Sequence, residues 1–153
     1  YGKPGCSQDE IEQAAKAAQI HDFIMRLPDG YKTVVGERGI KLSGGQKQRV
    51  SIARALVKNP KMLVLDDCLS AVDTHTEHTI LENLKQVTVG KSSLIISHRV
   101  SSARLANRIF VLSEGAIIES GSHKELMKKK SLYYELYQQQ LNEELQQVSA
   151  QSN

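Results

Sequence analysis

Unbroken apolar runs and helix-spaced apolar residues divide this chain into a regular succession of elements. Leu63-Val64-Leu65 and Leu94-Ile95-Ile96 are short apolar runs, which are typical of strands buried in a parallel sheet. They predict buried strands over 61–66 and 92–97. Apolar residues at helical spacing predict helices over about 7–19, 21–27, 45–58, 76–85, 100–106, 124–129 and 132–147.

The order of these elements predicts the fold class. Strand and helix alternate between residues 61 and 106, which favours a parallel sheet with crossover helices, an α/β fold. Two more strands, at 108–112 and 116–120, flank Ser113-Glu114-Gly115 and predict a hairpin. In parallel sheets, ligand sites lie beyond the carboxyl ends of the strands.

The bulk composition excludes several classes of protein. A chain of 153 residues with 40% hydrophobic and 24% charged residues is an ordinary globular composition. The net charge of +3 is small and no Trp is present, so a nucleic-acid partner is not expected. Cys6 and Cys68 lack metal-ligand spacing and are expected to be reduced thiols. No apolar run reaches the length of a membrane span, and the start at Tyr1 suggests a piece of a longer protein.

Leu42-Ser43-Gly44-Gly45-Gln46 is the first candidate site. The predicted helix that begins there would present free backbone N–H groups and the positive end of its dipole, which suit a phosphate. Glycine lets the backbone approach an anion closely, and Ser43 adds a hydroxyl donor. Taken alone, the same residues could be only a glycine loop that caps a helix.

Asp66 and Asp67 form the second candidate site, at the end of the first predicted strand. Paired carboxylates there suit a magnesium ion and an attacking water molecule. Alternation along the strand would point the two side chains to opposite sides. The alternative is two solvated acids that cap the next helix. His98 follows the second strand, where a lone histidine is more often structural than functional.

Together, and at this spacing, these motifs resemble the signature motif and the Walker B strand of an ATP-binding cassette, the ATPase of ABC transporters. The most similar group is the multidrug exporter type. The resemblance implies a P-loop NTPase-like parallel sheet with flanking helices plus part of the ABC helical subdomain. No Gly-x-x-x-x-Gly-Lys-[Ser/Thr] occurs, so the cassette is expected to be incomplete, with only its C-terminal part present.

The resemblance also implies roles for individual residues, with ATP and Mg²⁺ as cofactors. Asp66 would hold the metal, Asp67 would polarise the attacking water, and His98 would contact the γ-phosphate. The residues implied in binding the nucleotide are Ser43, Gly44, Gly45 and Gln46 of the signature motif, with Ser70 and Asp73 of the D-loop. The second carboxylate is usually Glu in this family, and Asp67 is shorter by one methylene. We therefore hypothesise slow hydrolysis, because a misplacement of about 1 Å can cost on the order of 100-fold in rate.

The implied organisation has three parts. Residues 1–58 would form part of the helical subdomain, 59–122 the C-terminal part of the RecA-like ATPase core, and 123–153 C-terminal helices and a tail. The partner would be a second cassette, identical or different. Glu37 and Arg38 lie in a loop that resembles the X-loop of exporters, which touches the coupling helices of the transmembrane domain.

The expected function is ATP hydrolysis coupled to transmembrane transport, by a multidrug or lipid exporter, at the cytoplasmic face of the cell membrane. The 153 residues by themselves are expected to be inactive, because the loop that cradles the α- and β-phosphates is missing. Two other functions stay open: a soluble ABC-family ATPase that acts on DNA or ribosomes, and a non-catalytic dimerisation fragment that uses the 132–147 helix.

Overall fold

A computed structural model of the chain describes residues 3–36 and 39–151, which divide into two compact units at Ile96 and Ser97. The first unit contains helices α1 (Gln8–Ala17), α2 (His21–Met25), α3 (Gly44–Leu56) and α4 (Thr74–Val87), a 3-10 turn at Gly30–Lys32, and strands β1 (Met62–Asp66) and β2 (Ser92–Ile96). The second unit contains α5 (Val100–Ala103), β3 (Ile109–Ser113), β4 (Ala116–Gly121), α6 (His123–Lys129) and α7 (Leu132–Gln151). All the predicted helices and strands are present, with bounds shifted by at most a few residues.

Strand pairing confirms the predicted topology. β1 and β2 pair in parallel, with Val64 opposite Leu94 and Asp66 opposite Ile96, and α4 is the crossover between them. β3 and β4 form the predicted antiparallel hairpin, with an irregularity in register at Val111 and Leu112.

The prediction that both parallel strands are buried is wrong. Leu63 and Leu65 are each only 4% exposed, but Val64 between them is 53% exposed. On β2, Leu94 and Ile96 are 44% and 47% exposed. Only one face of this strand pair is therefore covered within the first unit. An unbroken apolar run indicates that both faces could be covered, but it does not reveal what covers them.

Helix caps and one arginine fix the helices of the first unit. Ser7 and Glu10 form a capping box at the start of α1, as the acidic first turn predicts. Arg49 of α3 donates from Nη1 to the carbonyl oxygen of Gln19 at 2.6 Å and from Nε to that of Gly45 at 3.3 Å. Gln19 has a φ of 54°, and this bond secures the turn that follows α1. The buried residues include Ala14, Ala15, Ala17, Ala18, Ile20, Ile52, Ile80, Leu81 and Leu84.

The second unit has its own apolar cluster, formed by Val100, Ile109, Val111, Leu126 and Tyr133. The hydroxyl of Tyr133 lies 2.8 Å from Nδ1 of His123, which is the first residue of α6. Across residues 3–36 and 39–151, the structure contains no helix with both the length and the apolar character needed to span a bilayer.

Candidate functional site

Ser43 caps the start of α3, where the sequence predicts an anion site. Its Oγ accepts from the N–H of Gln46 at 3.3 Å, and Oε1 of Gln46 accepts from the N–H of Ser43 at 2.9 Å. This reciprocal pair is a capping box. Ser43 and Gly44 are solvent-exposed, so this positive end of the helix dipole is open to a ligand. The capping alternative is thus present in the structure, whereas phosphate binding by Ser43, Gly44, Gly45 and Gln46 stays a prediction.

The two glycines of α3 lie directly against the segment 70–72. A Cβ atom at Gly45 would stand 2.6 Å from the carbonyl oxygen of Ala71, and one at Gly44 would stand 3.4 Å from Cβ of Ala71. Glycine is therefore required at position 45 because the backbone of Ala71 lies so close to it. The sequence suggested a different reason for it, close approach to an anion.

Asp66 and Asp67 differ in backbone conformation. Asp66 is the last residue of β1, whereas Asp67 has a φ of 44°, in the left-handed region. The N–H of Asp67 donates to the carbonyl oxygen of Ile96 at 3.0 Å. The predicted alternation of the two side chains does not apply, because the strand ends before Asp67. Both residues are exposed at the carboxyl end of the parallel pair, the edge where the sequence predicts a ligand site.

Cys68 and Glu77 lie close to these carboxylates. Burial raises the pKa of Cys68 to about 11, and the negative charges of Asp67, Glu77 and Asp66 add to this shift. Glu77, on the first turn of α4, is only 2% exposed. Cys6 and Cys68 are both free thiols, as predicted. The Cys68 thiol is therefore protonated at neutral pH and makes a poor nucleophile or metal ligand.

Hydrogen bonds connect the loop 67–73 to α3. Oγ of Ser70 donates to the carbonyl oxygen of Asp67 at 3.0 Å. Nε2 of Gln48 donates to Oγ of Ser70 at 3.0 Å, and Oε1 of Gln48 accepts from the N–H of Ala71 at 2.9 Å. Gln48 is not among the residues predicted from the sequence, although it lies one turn after Gly45 and therefore on the same face of α3.

Asp73 ends this loop and caps α4. Its Oδ1 accepts from the N–H of Thr76 at 2.9 Å, and this bond holds the pKa of Asp73 below its ordinary value. Asp73 thus has a structural role as an N-cap. The contact of Ser70 and Asp73 with a nucleotide stays a prediction.

His98 belongs to the second unit, where α7 holds its backbone. Nε2 of Gln140 donates to the carbonyl oxygen of His98 at 2.8 Å, and Oε1 of Gln140 accepts from the N–H of Val100 at 2.7 Å. One amide on α7 thus secures both ends of the segment 98–100. Sequence reasoning missed Gln140, whose partners lie about 40 residues earlier in the chain. Contact of His98 with a γ-phosphate stays a prediction.

The structure describes only part of the loop that resembles the X-loop of exporters. Glu37 and Arg38 lie outside the described residues, so their contact with a membrane domain stays a prediction. Next to these two residues, the N–H of Ile40 donates to the carbonyl oxygen of Val34 at 3.1 Å.

In the ranges that the structure describes, His, Cys, Asp and Glu side chains form no group of three or more that could hold a metal ion. A magnesium ion does not require such a group, because one or two carboxylates, phosphates and water usually complete its coordination.

Comparison with known proteins identifies the family. Residues 4–70 match the family described as ABC transporter. The ATP-dependent lipid A-core flippase of Syntrophus aciditrophicus (strain SB) is 50% identical over 144 residues, which cover 94% of this chain and 24% of the flippase. The multidrug resistance-like ATP-binding protein MdlA of Buchnera aphidicola subsp. Schizaphis graminum is 54% identical over 140 residues, covering 91% of this chain and 24% of MdlA.

A solved structure agrees with these relatives. A bacterial Atm1-family ABC exporter with ATP bound matches with a TM-score of 0.84 and 49% identity, over 92% of this chain and 25% of the exporter chain. The present chain spans about a quarter of the length of each of these relatives. Its parallel strands and crossover helix are consistent with the P-loop NTPase-like fold that the resemblance implies. The chain therefore belongs to the ATP-binding cassette (ABC) transporter family.

Proposed function

We propose that this chain is part of the ATP-binding and ATP-hydrolysing domain of an ABC exporter, in which ATP hydrolysis drives transport across a membrane. One observation carries the proposal: the open, glycine-lined start of α3 lies directly against the loop that follows the two exposed carboxylates. The helix start that we propose to bind phosphate and the strand end that we propose to bind the metal therefore lie in the same unit. The names of the relatives, a lipid A-core flippase and an Atm1-family exporter, support export as the direction of transport.

The exposed carboxylate of Asp66 fits a magnesium ion, because it is a hard oxygen ligand at a strand end where phosphates could complete the coordination. When bound, Mg²⁺ would supply positive charge against the charge that develops on the phosphates. Asp67 would polarise the attacking water, and His98 would contact the γ-phosphate. Catalysis would then depend on positioning and on electrostatic stabilisation.

A second cassette would complete the site. The residues Ser43 to Gln46 would contact the γ-phosphate of ATP held by the partner cassette, and Ser70 and Asp73 would lie along the seam between the two. Closing and reopening this seam would move a transmembrane domain, with Glu37 and Arg38 at the contact, on the cytoplasmic side of the membrane. The exposure of Ser43 and Ser70 is consistent with such a seam.

Slow hydrolysis is a finer part of the proposal. Asp67 is shorter by one methylene than the usual Glu, and its φ of 44° lies in a region that Asp tolerates better than most residues. In a single-turnover ATPase measurement, Asp67→Glu should increase the rate, because the longer side chain reaches about 1 Å further. An unchanged rate in the variant would exclude this explanation.

The main proposal can be tested by measuring ATP hydrolysis. The assay uses the protein encoded by the complete gene that contains this sequence. The wild type should hydrolyse ATP in the presence of Mg²⁺, and Asp67→Asn should lower kcat by about 100-fold or more. Asp22→Asn, at an exposed acid on α2, is the matched control and should retain the wild-type rate. A wild type without ATPase activity, or an Asp67→Asn variant with full activity, would contradict the proposal. The 153-residue chain should show no micromolar binding of ATP in calorimetry.

A further inference from the structure

We propose that Gln48 is a positioning residue for ATP hydrolysis. Its side-chain amide fixes the position of the loop 67–73 relative to the start of α3. Through that loop, the amide also fixes the backbone of Asp67. The inference rests on the proposed function, since it concerns the rate of that reaction. Gln48 would not touch the nucleotide itself and would act only through Ser70 and Ala71.

Both ends of the Gln48 amide are engaged by the loop. Its NH₂ group donates to Oγ of Ser70 at 3.0 Å, and its carbonyl accepts from the N–H of Ala71 at 2.9 Å. The two partners are adjacent in the chain and 22 or 23 residues away from Gln48. An amide held at both ends defines the distance and the orientation of the loop, which a single hydrogen bond would not.

The connection continues from the loop to the second carboxylate-bearing residue. The carbonyl oxygen of Asp67 accepts from Oγ of Ser70 at 3.0 Å and from the N–H of Ser70 at 3.4 Å. Asp67 has the left-handed backbone that persists only where surrounding contacts maintain it. Gln48 therefore stabilises the hydroxyl that in turn fixes the turn at Asp67.

Close packing would transmit a displacement of α3 to this loop. Only glycine fits at position 45 beneath the carbonyl of Ala71, and the flanking residues Leu69 and Val72 are 6% and 4% exposed. A loop anchored by two buried side chains and in backbone contact with a helix has little freedom to relax. The helix start and Asp67 should consequently move together.

Removing the amide should therefore lower turnover more than nucleotide affinity. Gln48→Met preserves the length and helix propensity of the side chain but removes both hydrogen bonds. We expect kcat to decrease by about 10- to 100-fold, the range that follows from a displacement near 1 Å, while KM for ATP changes by less than about twofold. A variant that folds poorly would instead contain less active enzyme. Its loss of activity would not depend on which hydrogen bonds the side chain at position 48 can form.

Two further variants separate positioning from a structural effect. Gln48→Glu can still accept from the N–H of Ala71 but cannot donate to Ser70, so its kcat should lie between those of wild type and Gln48→Met. Lys47→Met places the same new side chain at the neighbouring exposed position and should keep the wild-type kcat. Amide hydrogen exchange should be about five- to tenfold faster at Ala71 in Gln48→Met than in wild type.

The assay uses the protein encoded by the complete gene. A wild-type kcat in Gln48→Met, an equal loss in Lys47→Met, or unchanged exchange at Ala71 would overturn the inference. A wild type that hydrolyses no ATP would overturn the proposed function and, with it, the role of Gln48 in hydrolysis. In that case, faster exchange at Ala71 would still support the hold of Gln48 on the loop.

Discussion

A single methyl group at position 45 tests how closely α3 contacts the segment 70–72. In Gly45→Ala, the new Cβ would stand 2.6 Å from the carbonyl oxygen of Ala71, 3.5 Å from its carbonyl carbon and 3.7 Å from Cγ2 of Val72. The first distance is shorter than real contacts of a Cβ atom. Because the obstructing atom belongs to the backbone, it cannot rotate away, and the helix or the loop must shift.

Helix propensity and overpacking act in opposite directions on the stability of this variant. Replacing glycine with alanine in a helix is ordinarily favourable, by at most about 1 kcal/mol. Overpacking a close contact costs roughly 1–3 kcal/mol. Because the cost of overpacking exceeds the gain in helix propensity, the free energy of unfolding of Gly45→Ala should fall by about 1–2 kcal/mol.

Gly44→Ala is the matched control, because it adds the same atom one residue earlier. There the new Cβ lies 3.4 Å from Cβ of Ala71, an ordinary contact between side chains. Its free energy of unfolding should be unchanged or higher by up to about 1 kcal/mol. Urea denaturation followed by far-UV circular dichroism, at low micromolar concentration, gives both values. Equal values for the two variants would refute the contact between position 45 and the carbonyl of Ala71.

Three further predictions concern ionisation, thiol chemistry and exposed apolar surface. Burial and, secondarily, the charge of Arg104 lower the pKa of His123 below its ordinary value of 6.5. The stability contributed by neutral His123 is complete above about pH 6.5 and is lost as the pH falls through the folded pKa. His123→Gln should therefore show a weaker decrease in Tm between about pH 7.5 and pH 5 than wild type, and an equal decrease would contradict this. Burial raises the pKa of Cys68 from 9.0 to about 11, so iodoacetamide should label it about 100-fold more slowly in the native chain than in urea. Mass spectrometry can follow the labelling of Cys68 separately. Similar labelling rates of Cys68 in the native chain and in urea would contradict the raised pKa. Leu94→Thr should reduce self-association in light scattering without loss of stability, because Leu94 is 44% exposed on the open sheet face. Leu65→Thr, at a residue 4% exposed, should instead destabilise the chain, and equal effects of the two changes would argue against an open face.

Local patterns predict the elements of this fold well, because helix and strand periodicity is a property of neighbouring residues. The capping box at Ser7 and the parallel pairing of the strands follow from such patterns. The open face at Val64 and Leu94 does not, since burial depends on what packs against a strand. Strand alternation does not predict the left-handed backbone of Asp67 either, because the strand ends at Asp66.

The candidate site shows the same division between local and distant effects. The roles expected for Ser43 and Asp66 depend on their places at a helix start and a strand end, which short motifs indicate. Gln48 has no motif of its own, because its hydrogen-bond partners lie more than 20 residues further along the chain. The motif predicts a binding role for Gly45, but it does not predict the contact of Gly45 with the carbonyl of Ala71.

The two hydrogen bonds between Gln140 and the segment 98–100 have a consequence for biosynthesis. Gln140 and His98 are 42 residues apart, and translation at about 5–20 residues per second separates them by roughly 2 to 8 seconds. During that interval the nascent segment lacks the amide that joins His98 to Val100. The segment 98–100 therefore gains both of these hydrogen bonds only after Gln140 has been made, well after the synthesis of the start of α3 and of both aspartates.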